Sequence, residues 1–363
     1  MREWILLIFL FSPFCFAEVT GLKIYQDNEG LQFLLPKMKE LNSTLFITKY
    51  LELLNSHPKY HQMMDDQVKI GPGTEKDFLP IMDKKTVSVL VANRPGHMNR
   101  RDIILPTVLS ELSNAGSIPI ILPVGLELIL SNRELKQFHD FIAQEIKFLI
   151  HLGGADIHPS LYGEELRGAR DTYLKRDIVE LNLVKTYIAH EKGMIVGFCR
   201  GHQLIGVAQG LKLIQDIPRE PIFSSAISHS ADSEMNNDHG RVSAYHEIQF
   251  SSETSLLREI FEGNNILVNS RHHQAVEYVE NHPKVFISAT EGDYKMVEAL
   301  EFKNGRGYTF QFHPEDMKTE VSKVILQSLA RRSLEILEYD FRPSNLDILK
   351  APTFLCRGWR LAI

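Results

Sequence analysis

The feature that most restricts the fold is a five-residue turn, Gly197-Phe198-Cys199-Arg200-Gly201. An apolar run, GMIVGFC (193–199), enters it, and a helix-forming stretch, HQLIGVAQ, leaves it. Glycines on either side of a central cysteine fit a sharp strand-to-helix turn, the G-x-nucleophile-x-G elbow with cysteine in the serine position. Such a turn needs small flanking residues. It lifts the central side chain out of the carboxyl edge of a sheet, where doubly wound folds place ligands. It also sets Cys199 at a helix N-terminus, where the dipole favours thiolate over thiol. The Arg200 backbone N–H is aimed at the place where an oxyanion would form. Taken alone, the turn reads equally well as a buried packing cysteine between strand and helix.

The chain around the turn has α/β texture. VSVLVAN (87–93), IPIILPV (118–124) and IKFLIHLGG (146–154) are short apolar runs suited to strands covered on both faces. Helical periodicity lies between such runs, around Ile103–Ala115 and Asp177–His190. The alternation predicts an α/β fold: a doubly wound, mostly parallel sheet flanked by helices. A second strand-rich stretch (242–250, 266–268, 285–289, 297–302, 307–312) leads to a final helix near Thr319–Leu337.

The ends read differently. Trp4 to Phe16 is an apolar run behind Arg2, too short to span a bilayer, and Cys15 and Ala17 are the small residues of a secretory cleavage site. Residues 1–17 are therefore expected to be a signal peptide, and the protein to be exported, either periplasmic or secreted. Residues 18–83 form an N-terminal extension with no assigned role, 84–340 the principal domain, and 341–363 a C-terminal tail. Three cysteines in 363 residues cannot make a disulfide framework. A net charge of −6 argues against nucleic acid as a partner. No membrane contact is expected beyond the signal peptide, and a homo-oligomer is left open.

A second motif decides how Cys199 should be read. Tyr308-Thr309-Phe310-Gln311-Phe312 reads as a buried strand and runs directly into His313-Pro314-Glu315. In an extended segment residues i and i+2 project to one side, and Pro314 disfavours helix at His313. Glu315 is thus expected to hold one imidazole nitrogen while the other faces a thiol, the logic of a nucleophile, a base and its orienter.

Fifteen histidines raise the question of a metal. His229, His239, His246, His272 and His273, with Asp232 and Asp238, match no linear metal pattern such as H-E-x-x-H. The stretch SSAISHSADSEMNNDHGR reads instead as a polar surface loop flanking a cleft. No metal is expected. There is no P-loop or dinucleotide fingerprint, so no cofactor is expected either.

The elbow FCRGHQ, the terminal FQFHPE, HLGGADIHPSLYGEE (151–165), RDIVELNLVKTYIAHEKGMIVGFCRG (176–201), VNSRHHQAV (268–276) and VEALEF (297–302) together resemble the class I glutamine amidotransferase-like superfamily, which has a flavodoxin-like fold. Within it the likeness is to the γ-glutamyl hydrolase branch, including γ-glutamyl-γ-aminobutyrate hydrolases. Phe312 stands where the family commonly has tryptophan. The resemblance covers roughly residues 86–335. It implies Cys199, His313 and Glu315 as catalytic residues, with an oxyanion hole from the Arg200 amide and an amide of Gly153-Gly154. It further implies that Gln203, His272, His273 and Gln274 line the substrate cleft, although adjacent histidines cannot easily face one way. The expected protein is a cysteine hydrolase of γ-glutamyl amide bonds in small molecules or short peptides, acting through a thioester. The alternatives are a glutaminase subunit passing ammonia to a synthetase, a non-catalytic binding relative, and a cysteine variant of the α/β-hydrolases. The last is disfavoured because its acid normally precedes the histidine in the chain, whereas Glu315 follows His313.

Overall fold

A computed structural model describes residues 87–91, 118–122, 131–221, 229, 236–238, 241–251, 255–292, 295–317 and 319–340. The readings of 1–17, 18–83 and 341–363, and the helix expected around 103–115, lie outside these residues.

Strands β1 (Val87–Val91) and β2 (Ile118–Leu122) precede helix α1 (Asn132–Glu145) and strand β3 (Phe148–His151). Helix α2 (Leu174–His190), strand β4 (Met194–Phe198) and helix α3 (Arg200–Gln209) follow. The next stretch carries β5 (Leu213–Ile214), β6 (Asn236–Asp238), β7 (Arg241–Phe250), the short helix α4 (Leu256–Ile260) and β8 (Asn265–Ser270). It continues through β9 (Ala275–Val276), β10 (Val285–Glu291), β11 (Met296–Phe302) and β12 (Gly307–Phe310) to helix α5 (Glu320–Asp340).

The main sheet runs β2-β1-β3-β4-β12-β11-β10-β7-β6. From β2 to β12 every neighbouring pair is parallel. Beyond β12 the pairing turns antiparallel, because β11 and β12 are joined by a tight turn rather than a crossover helix. The parallel part is the expected α/β layer. The second strand-rich stretch extends it as an antiparallel wing.

Alternation along the strands divides the core in two. Phe148 and Ile150 of β3 and Met194, Val196 and Phe198 of β4 pack with Ile325, Leu326 and Leu329 of α5. Leu149 and Ile195 face the other way, against Phe138 and Ile142 of α1, Val184 of α2 and Leu204 and Ile205 of α3. Both faces of the strands are therefore covered, which is why β4 reads as an unbroken apolar run and is buried at every position. Helices on both faces make the parallel layer doubly wound. Among the described residues no helix is long and apolar enough to cross a membrane.

Strand β11 is buried throughout although it carries Glu298 and Glu301. Glu301 accepts from the Leu256 amide at 2.9 Å and so caps the start of α4. Burial pushes its carboxyl up to about 8, against the pull of that amide and of Ser288. The folded state then holds a proton that the unfolded chain releases above its ordinary value of 4.5, so this residue costs stability as pH rises from 4.5 to about 8. Glu301→Gln keeps the acceptor and removes the titration. Its thermal midpoint is expected to exceed that of the wild type by a margin that grows across this window, and parallel Tm profiles from pH 4 to 9 would contradict the assignment.

Candidate active site

Strands β3, β4 and β12 are adjacent and parallel, and His151, Gly197 and Thr309 stand in register across them. Their carboxyl ends therefore deliver three segments to one edge of the sheet: Gly153-Gly154, Cys199 and His313. This convergence cannot be read from any one motif, since the three segments are far apart in the chain.

The turn at Cys199 is an elbow. Cys199 has φ 50° and ψ −107°, in the half of the map that side chains avoid. Its amide donates to Phe310 O at 2.8 Å, and its carbonyl accepts from Gln203 N at 3.2 Å to begin α3. A Cβ at Gly197 would lie 2.5 Å from the Gly201 carbonyl carbon, and one at Gly201 would lie 2.1 Å from His151 O. Both contacts are far inside van der Waals range, so the two glycines are what lets strand, turn and helix approach.

Cys199 is buried to 7% exposure and lies beside His313, whose titration its sulfur influences. The His313 Nδ1 sits 2.7 Å from Glu315 Oε1, which leaves Nε2 for the sulfur. The His313 amide donates to Asn269 Oδ1 at 3.0 Å, tying this end of β12 to β8. Burial and the Arg271 guanidinium oppose the imidazolium. Glu315 and the Cys199 sulfur outweigh them and push His313 up to about 9. The group is thus set to hold a proton delivered by a thiol and to return it. One expectation needs correcting: His313-Pro314-Glu315 is not extended. Pro314 opens a 3-10 turn, Pro314–Asp316, because its fixed φ suits a first helical position. The turn brings Glu315 to the ring by a different route from the i, i+2 strand geometry.

Gly153 packs against both groups; a Cβ there would be 3.0 Å from His313 Cε1 and 3.6 Å from Cys199 Cβ. The Arg200 side chain turns away into a buried ionic network. Its guanidinium pairs with Asp177 at 2.6 Å and with Glu180. Arg176 pairs with Glu180 at 2.6 Å, and His151 Nε2 lies 3.4 Å from that carboxylate. Sequence reasoning passed over Arg176, Asp177 and Glu180, although Arg176 and Glu180 stand at the i, i+4 spacing of a helical pair.

The expected cleft residues are held in different ways. Gln203 Nε2 donates to Gln274 O and to Gln311 Oε1, both at 3.1 Å, and Gln274 Nε2 donates to Gln215 O at 3.1 Å. His272 and His273 diverge, as neighbouring residues must. His273 lies between Asp156 at 2.8 Å and Asp216 at 3.2 Å. His272 instead turns inward towards Glu298, beside His229 and His246. The surface-loop reading therefore fails for His229, which is 4% exposed. Of the other residues weighed for a metal, Asp232 and His239 lie outside the described residues, and nothing is described of Asp238 beyond its place in β6.

The chain is similar to several known proteins. Protein NtpR of Enterococcus hirae is 30% identical over 208 residues, covering 57% of this chain and 79% of that one. The glutamine amidotransferase-like protein YvdE of Lactococcus lactis is 29% identical over 228 residues, covering 62% and 86%. The glutaminase domain of Trypanosoma brucei CTPS superposes with a TM-score of 0.46 at 14% identity over 68% of this chain and 94% of that one. A glutamine amidotransferase from Thermotoga maritima gives 0.43 at 14% identity over 70% and 99%. The profile of one family, Peptidase C26, matches residues 87–315, from β1 through Cys199 and His313 to Glu315. The chain belongs to the Peptidase C26 family, within the glutamine amidotransferase-like group.

Proposed function

We propose that the protein is a cysteine hydrolase that cleaves γ-glutamyl amide bonds through a thioester. The observation that carries this reading is the Cys199–His313–Glu315 array, in which the ring shares Nδ1 with a buried carboxylate and lies beside the Cys199 sulfur, which helps raise its pKa. Family membership supports hydrolysis of a carbon–nitrogen bond. Attack of the Cys199 sulfur on the γ-carbonyl carbon sends the thiol proton to His313. The Arg200 amide and the Gly153-Gly154 segment take the oxyanion. Collapse breaks the C–N bond as His313 protonates the departing nitrogen, leaving a glutamyl thioester and a free amine. Water, deprotonated by His313, then releases glutamate and restores the thiol.

The test is a mass-spectrometric screen of γ-glutamyl amides, γ-glutamyl peptides and free glutamine, with wild type and Cys199→Ala in parallel. Glutamate and an equimolar amine are expected from at least one γ-glutamyl compound with the wild type alone. Cleavage that persists in Cys199→Ala, or its absence from every γ-glutamyl compound, would overturn the proposal. Turnover confined to free glutamine would favour a glutaminase instead.

A further inference from the structure

His229, His246, His272 and Glu298 come from four separate parts of the chain and converge in the interior. The histidines stand before β6, in β7 and after β8, and the carboxylate is in β11. All four are buried, and each offers one ligand atom within 4.8 Å of the others. His246 Nε2 lies 3.8 Å and His272 Nε2 3.7 Å from Glu298 Oε1, and His229 Nδ1 lies 4.0 Å from the same oxygen. These separations are too long for hydrogen bonds. Among the described residues both Glu298 oxygens and the Nε2 atoms of all three rings have no hydrogen-bond partner.

The tautomers follow from the outer contacts. His272 Nδ1 is 2.9 Å from Gln274 O, and His246 Nδ1 is 3.3 Å from Glu247 O. A carbonyl only accepts, so each Nδ1 carries the hydrogen and each Nε2 presents a lone pair. This is the second-sphere pattern of metal-bound histidines, whose other nitrogen donates to a carbonyl or carboxylate. The inward set is therefore rich in acceptors, and a buried water has only two hydrogens to offer it. Leaving such groups bare in the interior is costly.

We propose that His229, His246, His272 and Glu298 form a buried binding site for a divalent transition metal, with zinc the best match. Three imidazoles and a carboxylate suit zinc and its neighbours and do not suit calcium or magnesium, which take oxygen ligands. Zinc bonds of ~2.0–2.1 Å imply ligand atoms about 3.3 Å apart, so the carboxylate–imidazole separations would each close by roughly half an ångström, and the widest pair, within 4.8 Å, by up to ~1.5 Å. Burial keeps all three imidazoles neutral, the form that ligates, and also raises the Glu298 carboxyl well above its ordinary value, so a metal would have to displace its proton. Four protein ligands complete a tetrahedron, which marks a structural site rather than one that activates water. The metal would fix the His229 segment, β7, β8 and β11 to one another. It would also steady Gln274 O, which receives both His272 Nδ1 and Gln203 Nε2 beside the elbow.

The test uses the full-length protein, stripped with a chelator and then given zinc or cobalt alone. The expected result is one tightly bound zinc per chain, a higher thermal midpoint, and an X-ray absorption shell of nitrogen and oxygen at ~2.0–2.1 Å without sulfur. Cys199→Ala should bind zinc equally, because the thiol is not a ligand. His246→Gln and Glu298→Gln should each weaken binding by at least about tenfold. Circular dichroism of the stripped variants checks folding, and the near-isosteric Glu298→Gln decides the matter if His246→Gln does not fold. Absence of stoichiometric metal in the wild type would overturn the proposal. So would zinc held through sulfur and lost in Cys199→Ala, or zinc bound undiminished by folded Glu298→Gln.

Discussion

His313→Ala is expected to abolish turnover of any γ-glutamyl amide, while Glu315→Gln keeps a reduced but measurable rate. The alanine variant loses the group proposed to take the Cys199 proton and return it to the leaving nitrogen. The amide in Glu315→Gln could still hydrogen-bond the ring, but it no longer stabilises the imidazolium and can present the wrong tautomer. In a serine triad the equivalent carboxylate-to-amide change costs ~10⁴-fold in kcat. A smaller loss is expected here, since a thiol ionises more readily than a serine hydroxyl. The pH profile separates this account from simple misfolding. His313, raised to about 9 with Glu315 among the causes, must keep its proton to serve the leaving group. The wild type should therefore lose activity along an alkaline limb near pH 9. Removing the Glu315 charge takes away a raising influence, so that limb should move to lower pH in Glu315→Gln. Steady-state kinetics from pH 6 to 10 on a cleaved substrate make the comparison. Full activity in Glu315→Gln, an unmoved limb, or turnover surviving in His313→Ala would mean that the three roles are wrongly assigned.

The parts of this site that a single stretch of sequence can encode were legible in advance. The elbow is local: an apolar strand, two glycines and a helix former specify the turn, and the structure realises it with φ 50° at Cys199. The pairing of His313 with Glu315 is also local, and it survives an error about the backbone, because either an extended segment or a 3-10 turn brings the carboxylate to the ring. What the sequence hid was long-range. The histidine cluster has no linear spacing to recognise, since β7, β8 and β11 are brought together only by antiparallel pairing. The polar residues around His229 read as loop surface, yet it is buried against His246 and His272. In the same way, the parallel strands announced themselves as unbroken apolar runs. Glu298 and Glu301 gave no sign that β11 was equally buried, because charged residues normally mark an exposed face.

Arg200→Met should be the most destabilising conservative-sized change in the described core, although the sequence points only to the Arg200 backbone amide. Its side chain is 1% exposed and bridges two carboxylates of α2, joining the first residue of the elbow helix to the neighbouring helix. Burial opposes the charges in this network; pairing overcomes it at Glu180 and Arg200, whereas Arg176 is still lowered by its burial. Glu180 is held well below the ordinary carboxylate range by Arg176 and Arg200, and Arg200 is raised by Glu180 and Asp177. Methionine fills much of the volume but leaves Asp177 without its guanidinium and Glu180 with Arg176 alone. Breaking one side of a buried ion pair costs roughly 3–5 kcal/mol. For a domain of this size that corresponds to a fall in Tm on the order of 10 °C. Arg200→Lys should recover little, because one ammonium cannot reproduce a fork that reaches two carboxylates at once. Combining Arg200→Met with Asp177→Asn should recover much of the loss, since Asp177 no longer stands uncompensated while Glu180 keeps Arg176. The depressed value of Glu180 sets the pH signature. Its stabilising contribution is present above the unfolded carboxylate value and lost as pH falls, so wild type and Arg200→Met should converge in stability under acid. Calorimetric unfolding of the four proteins from pH 3 to 8 tests this. A Tm for Arg200→Met within a degree or two of the wild type at pH 7 would show that the network contributes little to holding the elbow in place.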